Sequence, residues 1–284
     1  MLVDLNADIL LLLDLDCDMD GQAATALQEA LAEGGVTYPY RVAGKPNAGV
    51  PSGFDLDGNG RLGEGRDGLG YGRFTGDGGM LLLSKWPLGP VRDLSATLWA
   101  DRDPQATALL PEGAASVVPL ANVAQWVVPV SIGGTDLSLV TLAANTPVFD
   151  GPEDRNGKRN AAELAFVSDL AAAEARPVVL GRANVDPADG EGDRSALADL
   201  LGHPALQDPR PRGAGGGGAG HSGDPALDTV EWDGPGPLRV DYVLPAAGLT
   251  VTAAGVVWPD DPDALAVVRR ASRGRAVWVD IALP

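Results

Sequence analysis

An α/β fold of two packed sheets flanked by helices is what this sequence predicts, and three observations carry it. Short apolar runs bounded by Gly, Pro and Asp recur along the whole chain, the signature of strands. A few longer stretches with apolar residues at helical spacing are interposed between them. No internal repeat and no shift in composition marks a boundary, so residues 1–284 read as a single domain. A chain of this size buries roughly three quarters of its unfolded surface, enough for a full core.

The elements follow in order. Ile9 to Leu13 are five consecutive apolar residues between Asp8 and Asp14, the length and flanks of a buried strand. Residues 22–33 have helical spacing and stop at Gly34-Gly35. A strand is expected over 38–43. Residues 44–79 then form a long Gly-rich loop, and a loop of that length in a compact domain is commonly functional or ordered by a ligand. Strands are expected over 80–84, 91–99, 126–132 and 137–142, the last two joined by a turn at Gly133-Gly134. Residues 101–122 are a second irregular excursion. A helix over 160–175 precedes Pro177 and a strand over 178–180, and a short helix follows over 195–201. Residues 202–237 are rich in Gly and Pro, with a flexible loop from Gly213 to Gly220. Strands over 239–244, 250–258 and 276–281 and a helix over 263–271 complete the chain.

The net charge of −18 repels phosphate backbones and forgoes the counterion release that drives generic nucleic-acid binding. Nucleic acid is therefore not the expected partner, with Arg155, Lys158, Arg159 and Arg182 the residues that would have to form a local basic patch. The single cysteine, Cys17, excludes an internal disulfide and reads as a buried, inert thiol. His203 and His221 fall in the Gly/Pro-rich stretch and read as surface-loop residues. The first residues carry no basic segment of a secretory leader, and the run 9–13 is too short to span a bilayer. No membrane association and a cytoplasmic location are expected, or a secreted or periplasmic one if an N-terminal segment is missing.

Three motifs stand out. They are Phe149-Asp-Gly-Pro-Glu-Asp-Arg-Asn-Gly-Lys-Arg-Asn160, Gly181-Arg-Ala-Asn184 with Val-Asp-Pro after it, and Arg239-Val-Asp-Tyr-Val-Leu244. Their order and spacing resemble the endonuclease/exonuclease/phosphatase superfamily, and the first resembles a bacterial branch that shares nearly this run. The resemblance implies a four-layer α-β-β-α sandwich of two mixed sheets with a site at one end. It implies a phosphoesterase that depends on Mg2+ or Mn2+. It also implies an opening central strand that is absent here, so either an N-terminal segment is missing or the sheet has rearranged.

Carried over residue by residue, the resemblance describes a site with several posts vacated. Asp14 stands where a metal-binding Glu is expected, one methylene shorter but still an oxygen ligand. Ala143 stands where a His is expected. Asn184 keeps the position that holds the scissile phosphate, but Arg182 replaces the Asp that activates water. An arginine stays protonated and has no acceptor, so it cannot take a proton from water. Asp186, two residues further on, is misplaced for that task. Asp241 and Tyr242 are retained. Near the C-terminus Arg273 and Gly274 replace a metal-side Asp and a His. Arg155, Lys158, Arg159 and Asn160 are candidates for contacting a phosphate, or else partners for Glu153, Asp154 and Glu163 at a helix start.

The expectation is thus a phosphoesterase by descent whose hydrolysis is abolished or very weak. Arg182 and Arg273 would neutralise Asp14 and Asp241 in place of a metal, or bind an anion directly. The partner would be a small phosphorylated ligand or a protein. The alternative is an active phosphomono- or phosphodiester hydrolase that uses Asp14 and Asn184 with a non-standard base. A metal-sized pocket flanked by Asp14 and Asp186 would favour the enzyme, and an ion pair from Arg182 to Asp14 or Asp241 the altered scaffold. Separately, Asp55, Asp57 and Asn59, with Asp67, have the alternating oxygens of a Ca2+ loop. Arg66 at the twelfth position excludes a full EF-hand, and the same residues also favour a plain Asp/Gly turn.

Overall fold

The computed structural model describes residues 1–216 and 220–283; part of the expected Gly213–Gly220 loop, residues 217–219, lies outside them. The chain opens with a helical turn, α1 (Leu2–Leu5), and strand β1 (Ile9–Leu15). Helix α2 (Gln22–Glu33) follows; the Asp18 carboxylate accepts the backbone N–H groups of Gln22 and Ala23 at 2.7 and 2.8 Å, which stabilises its free N-terminus. Next come β2 (Tyr40–Ala43), β3 (Gly79–Ser84), the two-residue β4 (Arg92–Asp93) and the short helix α3 (Trp99–Arg102). The pair β5 (Trp126–Ile132) and β6 (Thr135–Ala143) leads into α4 (Arg155–Ala173), β7 (Pro177–Arg182) and α5 (Arg194–Leu201). The chain closes with β8 (Val230–Trp232), β9 (Gly236–Leu238), β10 (Asp241–Pro245), β11 (Thr250–Val256), α6 (Pro262–Ala271) and β12 (Val277–Ala282).

Two sheets form the middle of the molecule. One has five strands in the order β10-β7-β6-β5-β4 and is mixed, with β6 and β7 parallel and the other pairs antiparallel. The other has three strands in the order β1-β3-β2 and is antiparallel throughout, which corrects the expectation of two mixed sheets. The period-two alternation of side chains builds the layers. Met80 and Leu82 of β3 enter a cluster with Trp126, Val128, Leu137, Leu139, Val178 and Leu180 of the larger sheet. Leu81 and Leu83 turn the other way, onto Ala24 and Leu31 of α2. On the far side, Val127, Val140 and Val179 pack against Leu164, Val167 and Leu170 of α4 and Leu197 and Leu200 of α5. The result is a four-layer α-β-β-α arrangement.

The three-stranded layer does not continue. Ile9, Leu11 and Leu13 of β1 lean on the inter-sheet cluster, and so does Ile281 of β12, yet β1 pairs only with β3 and β12 only with β11. Among the described residues no strand joins them.

Several sequence expectations shift. The strand expected over 91–99 shrinks to two residues because the Asp93 carboxylate accepts the Ser95 N–H at 3.0 Å, a local turn that competes with pairing. Trp99 then starts α3 and is 1 % exposed in the core. Helix α4 starts five residues early, at Arg155, because Asp150 accepts the N–H of Asn156 and supports the first turn. The stretch 202–237 contains the small β8–β9 hairpin. Cys17 is only half-buried.

Candidate functional site

The site lies at the end of the sheets where β1 and β7 finish and β10 begins. Register alone places three of its side chains. Arg182 on β7 is paired with Asp241 on β10, and Ala143 on β6 is opposite Arg182 on its other side. Gly181 makes this possible: at φ +136° a Cβ would fall 1.9 Å from the Leu142 carbonyl oxygen, so any other residue would force the strands apart. On the facing sheet the pairing of β1 slips between Leu13 and Leu15, and Asp14 in that bulge has φ +60°. The bulge re-aims its side chain across the gap between the sheets.

Arg182 spans both carboxylates. Its Nε donates to Asp241 Oδ1 at 2.8 Å, its Nη2 to Asp241 Oδ2 at 3.5 Å and its Nη1 to Asp14 Oδ2 at 2.9 Å. The two arms differ in setting, since the Asp241 side chain is 13 % exposed and that of Asp14 is 73 % exposed. Burial works against the charge on Arg182, but Asp241 and Asp14 together outweigh it and hold the guanidinium protonated more firmly than usual. Trp232 places its ring 5.9 Å from the guanidinium carbon.

The other positions divide into those at the centre and those drawn elsewhere. Asn184 lines the cleft at φ +58° and donates from Nδ2 to the Ala144 carbonyl at 2.7 Å. Gly274 borders Arg182, whereas Arg273 points away and pairs loosely with Asp233 at 3.7 Å, both side chains being exposed. The expectation that Arg273 neutralises the remaining carboxylates is therefore corrected. Asp186 is buried and accepts the N–H groups of Ala188, Asp189 and Arg239, so it braces a loop and flanks no pocket with Asp14. Arg239 forms a two-pronged pair with Asp208 at 2.8 and 2.5 Å, and the Tyr242 hydroxyl donates to backbone carbonyls.

Helix α4 carries the second correction. Arg159 is buried, with Nε on the Leu120 carbonyl at 2.9 Å and Nη2 on those of Leu69, Pro119 and Ala121. Asn160 is fully buried and donates to the carbonyls of Asn145 and Ala183, both at 2.7 Å. Both fasten backbone. Arg155 donates to the Leu56 carbonyl, tying the Gly-rich loop to α4, and exposed Lys158 donates to the Glu153 carbonyl. One turn after Arg159, Glu163 accepts the N–H groups of Asn122 at 2.8 Å and Asn145 at 2.6 Å. Burial pushes its carboxyl up to about 7, against the opposing pull of Arg159 and those two N–H groups. From sequence Glu163 is only a pairing partner for the basic run, and its i, i+4 spacing from Arg159 is the available signal.

A cleft of about 1000 Å³ opens over these groups, lined among others by Asp14, Arg182, Asn184, Tyr71, Phe149 and Trp232. Asp55, Asp57 and Asp67, at one side, bring carboxylate oxygens within 4.8 Å of one another and could hold a metal ion. Asn59 joins them through N–H contacts to Asp55 and Asp57 at 3.1 and 3.3 Å. His221, read as a surface residue, is buried between Asp189 at 3.2 Å and Asp228 at 2.9 Å.

The architecture is a two-sheet sandwich with a polar cleft at the ends of its strands, and such a fold does not by itself give a function. The chain belongs to the Endonuclease/Exonuclease/phosphatase family, whose profile matches residues 1–275. Solved structures agree at low identity. An endonuclease/exonuclease/phosphatase from Beutenbergia cavernae superposes with a TM-score of 0.62 at 17 % identity, over 99 % of this chain and 64 % of that one. A family protein from Leptotrichia buccalis gives 0.57 at 13 % identity, over 99 % and 90 % of the two chains. The 3'-5' exonuclease NExo from Neisseria meningitidis gives 0.57 at 17 % identity, over 99 % and 92 %. No curated protein matches the sequence.

The family typically depends on a divalent metal. Here Asp14, the carboxylate expected to ligate one, is ion-paired to Arg182, which also holds Asp241. A hard divalent cation needs oxygens free on several sides, and a fixed positive group between them excludes it. The residues at this centre do not fit a divalent metal.

Proposed function

We propose that this chain is a ligand-binding member of the family that has given up metal-assisted hydrolysis. The observation that carries the reading is Arg182, a group with no proton acceptor, at the post where an attacking water would need a base. The partner we favour is a small phosphorylated ligand. Five arginines line the cleft, Arg66, Arg73, Arg155, Arg159 and Arg182, and they match its five carboxylates, so a chain of charge −18 has a formally neutral cleft. That balance removes from the cleft the repulsion that the net charge of the chain would otherwise present to an anion.

Purified protein is expected to give no turnover of an aryl phosphodiester or phosphomonoester above an Asp14→Ala control with Mg2+, Mn2+ or Ca2+. Metal-dependent turnover that disappears in the control would establish the alternative, an active hydrolase with a non-standard base. The Asp55, Asp57 and Asp67 cluster is separately the candidate for Ca2+, since hard oxygen ligands suit that ion. A rise in Tm on adding Ca2+ that Asp57→Asn removes is the expected sign, and a rise unchanged by Asp57→Asn places the ion elsewhere.

A further inference from the structure

We infer that Arg182 is a resident cation: its guanidinium keeps Asp14 and Asp241 paired, and removing it frees the two carboxylates to share a divalent metal. The inference concerns the same centre as the proposed function and rests on that reading. It is tested by metal occupancy and not by turnover, so the two can fail separately.

Three features on different segments converge on it. First, the charges meet: Nε and Nη2 face Asp241 while Nη1 faces Asp14, so one planar cation draws together carboxylates from two sheets. A hydrogen-bonded guanidinium does electrostatically what a metal would do, but it is covalently tethered and cannot exchange. Second, room has been cleared for it. A Cβ at Gly274 would lie 2.9 Å from Arg182 Nη2, closer than real Cβ contacts come, so the guanidinium fills the volume that a side chain at 274 would occupy. The φ of Gly274 is not in the left-handed region, so neighbouring atoms and not the backbone account for the need of a glycine there. Third, the group is held. Its side chain is only 14 % exposed, and the Trp232 ring lies 5.9 Å from its charge.

Two carboxylates remain when the guanidinium is taken away. Asp241 sits in a strand and is shielded, whereas Asp14 is exposed on a bulge and can adjust towards a new ion. Unpaired acids on facing strands repel, and a divalent cation that accepts oxygens from both relieves that repulsion. Arg182 therefore excludes metals by occupying their ligands.

The experiment measures Mn2+ binding by electron paramagnetic resonance of free Mn2+, in an Asp57→Asn background that silences the neighbouring acidic cluster. With Arg182 present, no equivalent tied to Asp14 or Asp241 is expected. Arg182→Ala is expected to gain one equivalent, at least about tenfold tighter than the background, and Arg182→Ala/Asp241→Asn to lose it again. Arg182→Gln, which keeps bulk and donors without charge, carries the same expectation and replaces Arg182→Ala if circular dichroism shows that the latter does not fold. Either of two results overturns the inference. One is Mn2+ bound by the protein with Arg182 intact and abolished by Asp14→Asn. The other is no gain in a folded variant lacking Arg182.

Discussion

Arg159 is buried and Arg182 largely shielded beside the same cleft, but they are held in opposite ways. Arg159 donates only to backbone carbonyls, those of Leu69, Pro119, Leu120 and Ala121, drawn from two irregular segments. Arg182 donates only to carboxylates, one from each sheet. The first arginine shapes the cleft by fastening loops that have no strand or helix of their own; the second sets charge in its lining. Burial pulls both towards the neutral form. It prevails for Arg159, which falls to about 10, and loses for Arg182, where two acids compensate it. Similar side chains at similar depth thus do structural work in one case and electrostatic work in the other, and the partners decide which.

Mutations can sharpen this comparison. The largest effect is expected for Arg159→Ala, which strands several buried carbonyls and leaves Glu163 without its nearest compensating charge. A loss of about 3–5 kcal/mol fits the removal of one partner from a buried charged network. In a chain of this size that lowers Tm by roughly 10 °C, read by calorimetry. A change within about 2 °C would show that the loops are held by other contacts.

Next comes pH, through Glu163. Its carboxyl holds a proton up to about 7 when folded, against an ordinary value near 4.5. Between those values the folded chain binds more protons than the unfolded one, so this group's contribution to stability rises as pH falls from 7 towards 4.5. Above 7 the cost of burying the charge is present in full. The difference in unfolding free energy between the protein and Glu163→Gln is expected to move by about 1–3 kcal/mol across that window in favour of the unmodified chain. A difference flat with pH would place the ionisation of Glu163 outside it.

The smallest effects separate the two arms of Arg182. Asp241→Asn removes the shielded partner and should cost about 1–3 kcal/mol, whereas Asp14→Asn, at an exposed carboxylate, should cost less than about 1 kcal/mol. Equal costs in chemical denaturation would mean that the inter-sheet arm matters as much as the in-sheet one.

Much of the scaffold was legible in advance because its signals are local. The apolar run Ile9 to Leu13, the apolar stretches of β5 to β7 and the glycine turn at 133–134 each state their own element. Where the reading slipped, a single side chain overrode periodicity. Asp93 turns the chain and truncates β4, and Asp150 lengthens α4 by supplying a partner for an early N–H. The candidate site was legible in residue identity but not in allegiance. Arg155, Lys158, Arg159 and Asn160 form a basic-polar run one would aim at a phosphate, yet a helix sends successive residues to different sides. Arg159 and Asn160 face inward, and Lys158 is left on the surface.

By itself, then, the sequence determined most of the strands and helices, the family to which the chain belongs, and which groups near the site are able to accept a proton. Those depend on short-range pattern and on side-chain chemistry, which need no coordinates. Only the tertiary structure decided that Arg182 meets Asp14 and Asp241 while Arg273 meets neither, that Gly274 leaves the room Arg182 fills, and that Glu163 is buried beneath two loops. Those outcomes join residues as far apart as 14 and 241, and the register, burial and steric fit that set them exist only once the two sheets have closed on each other.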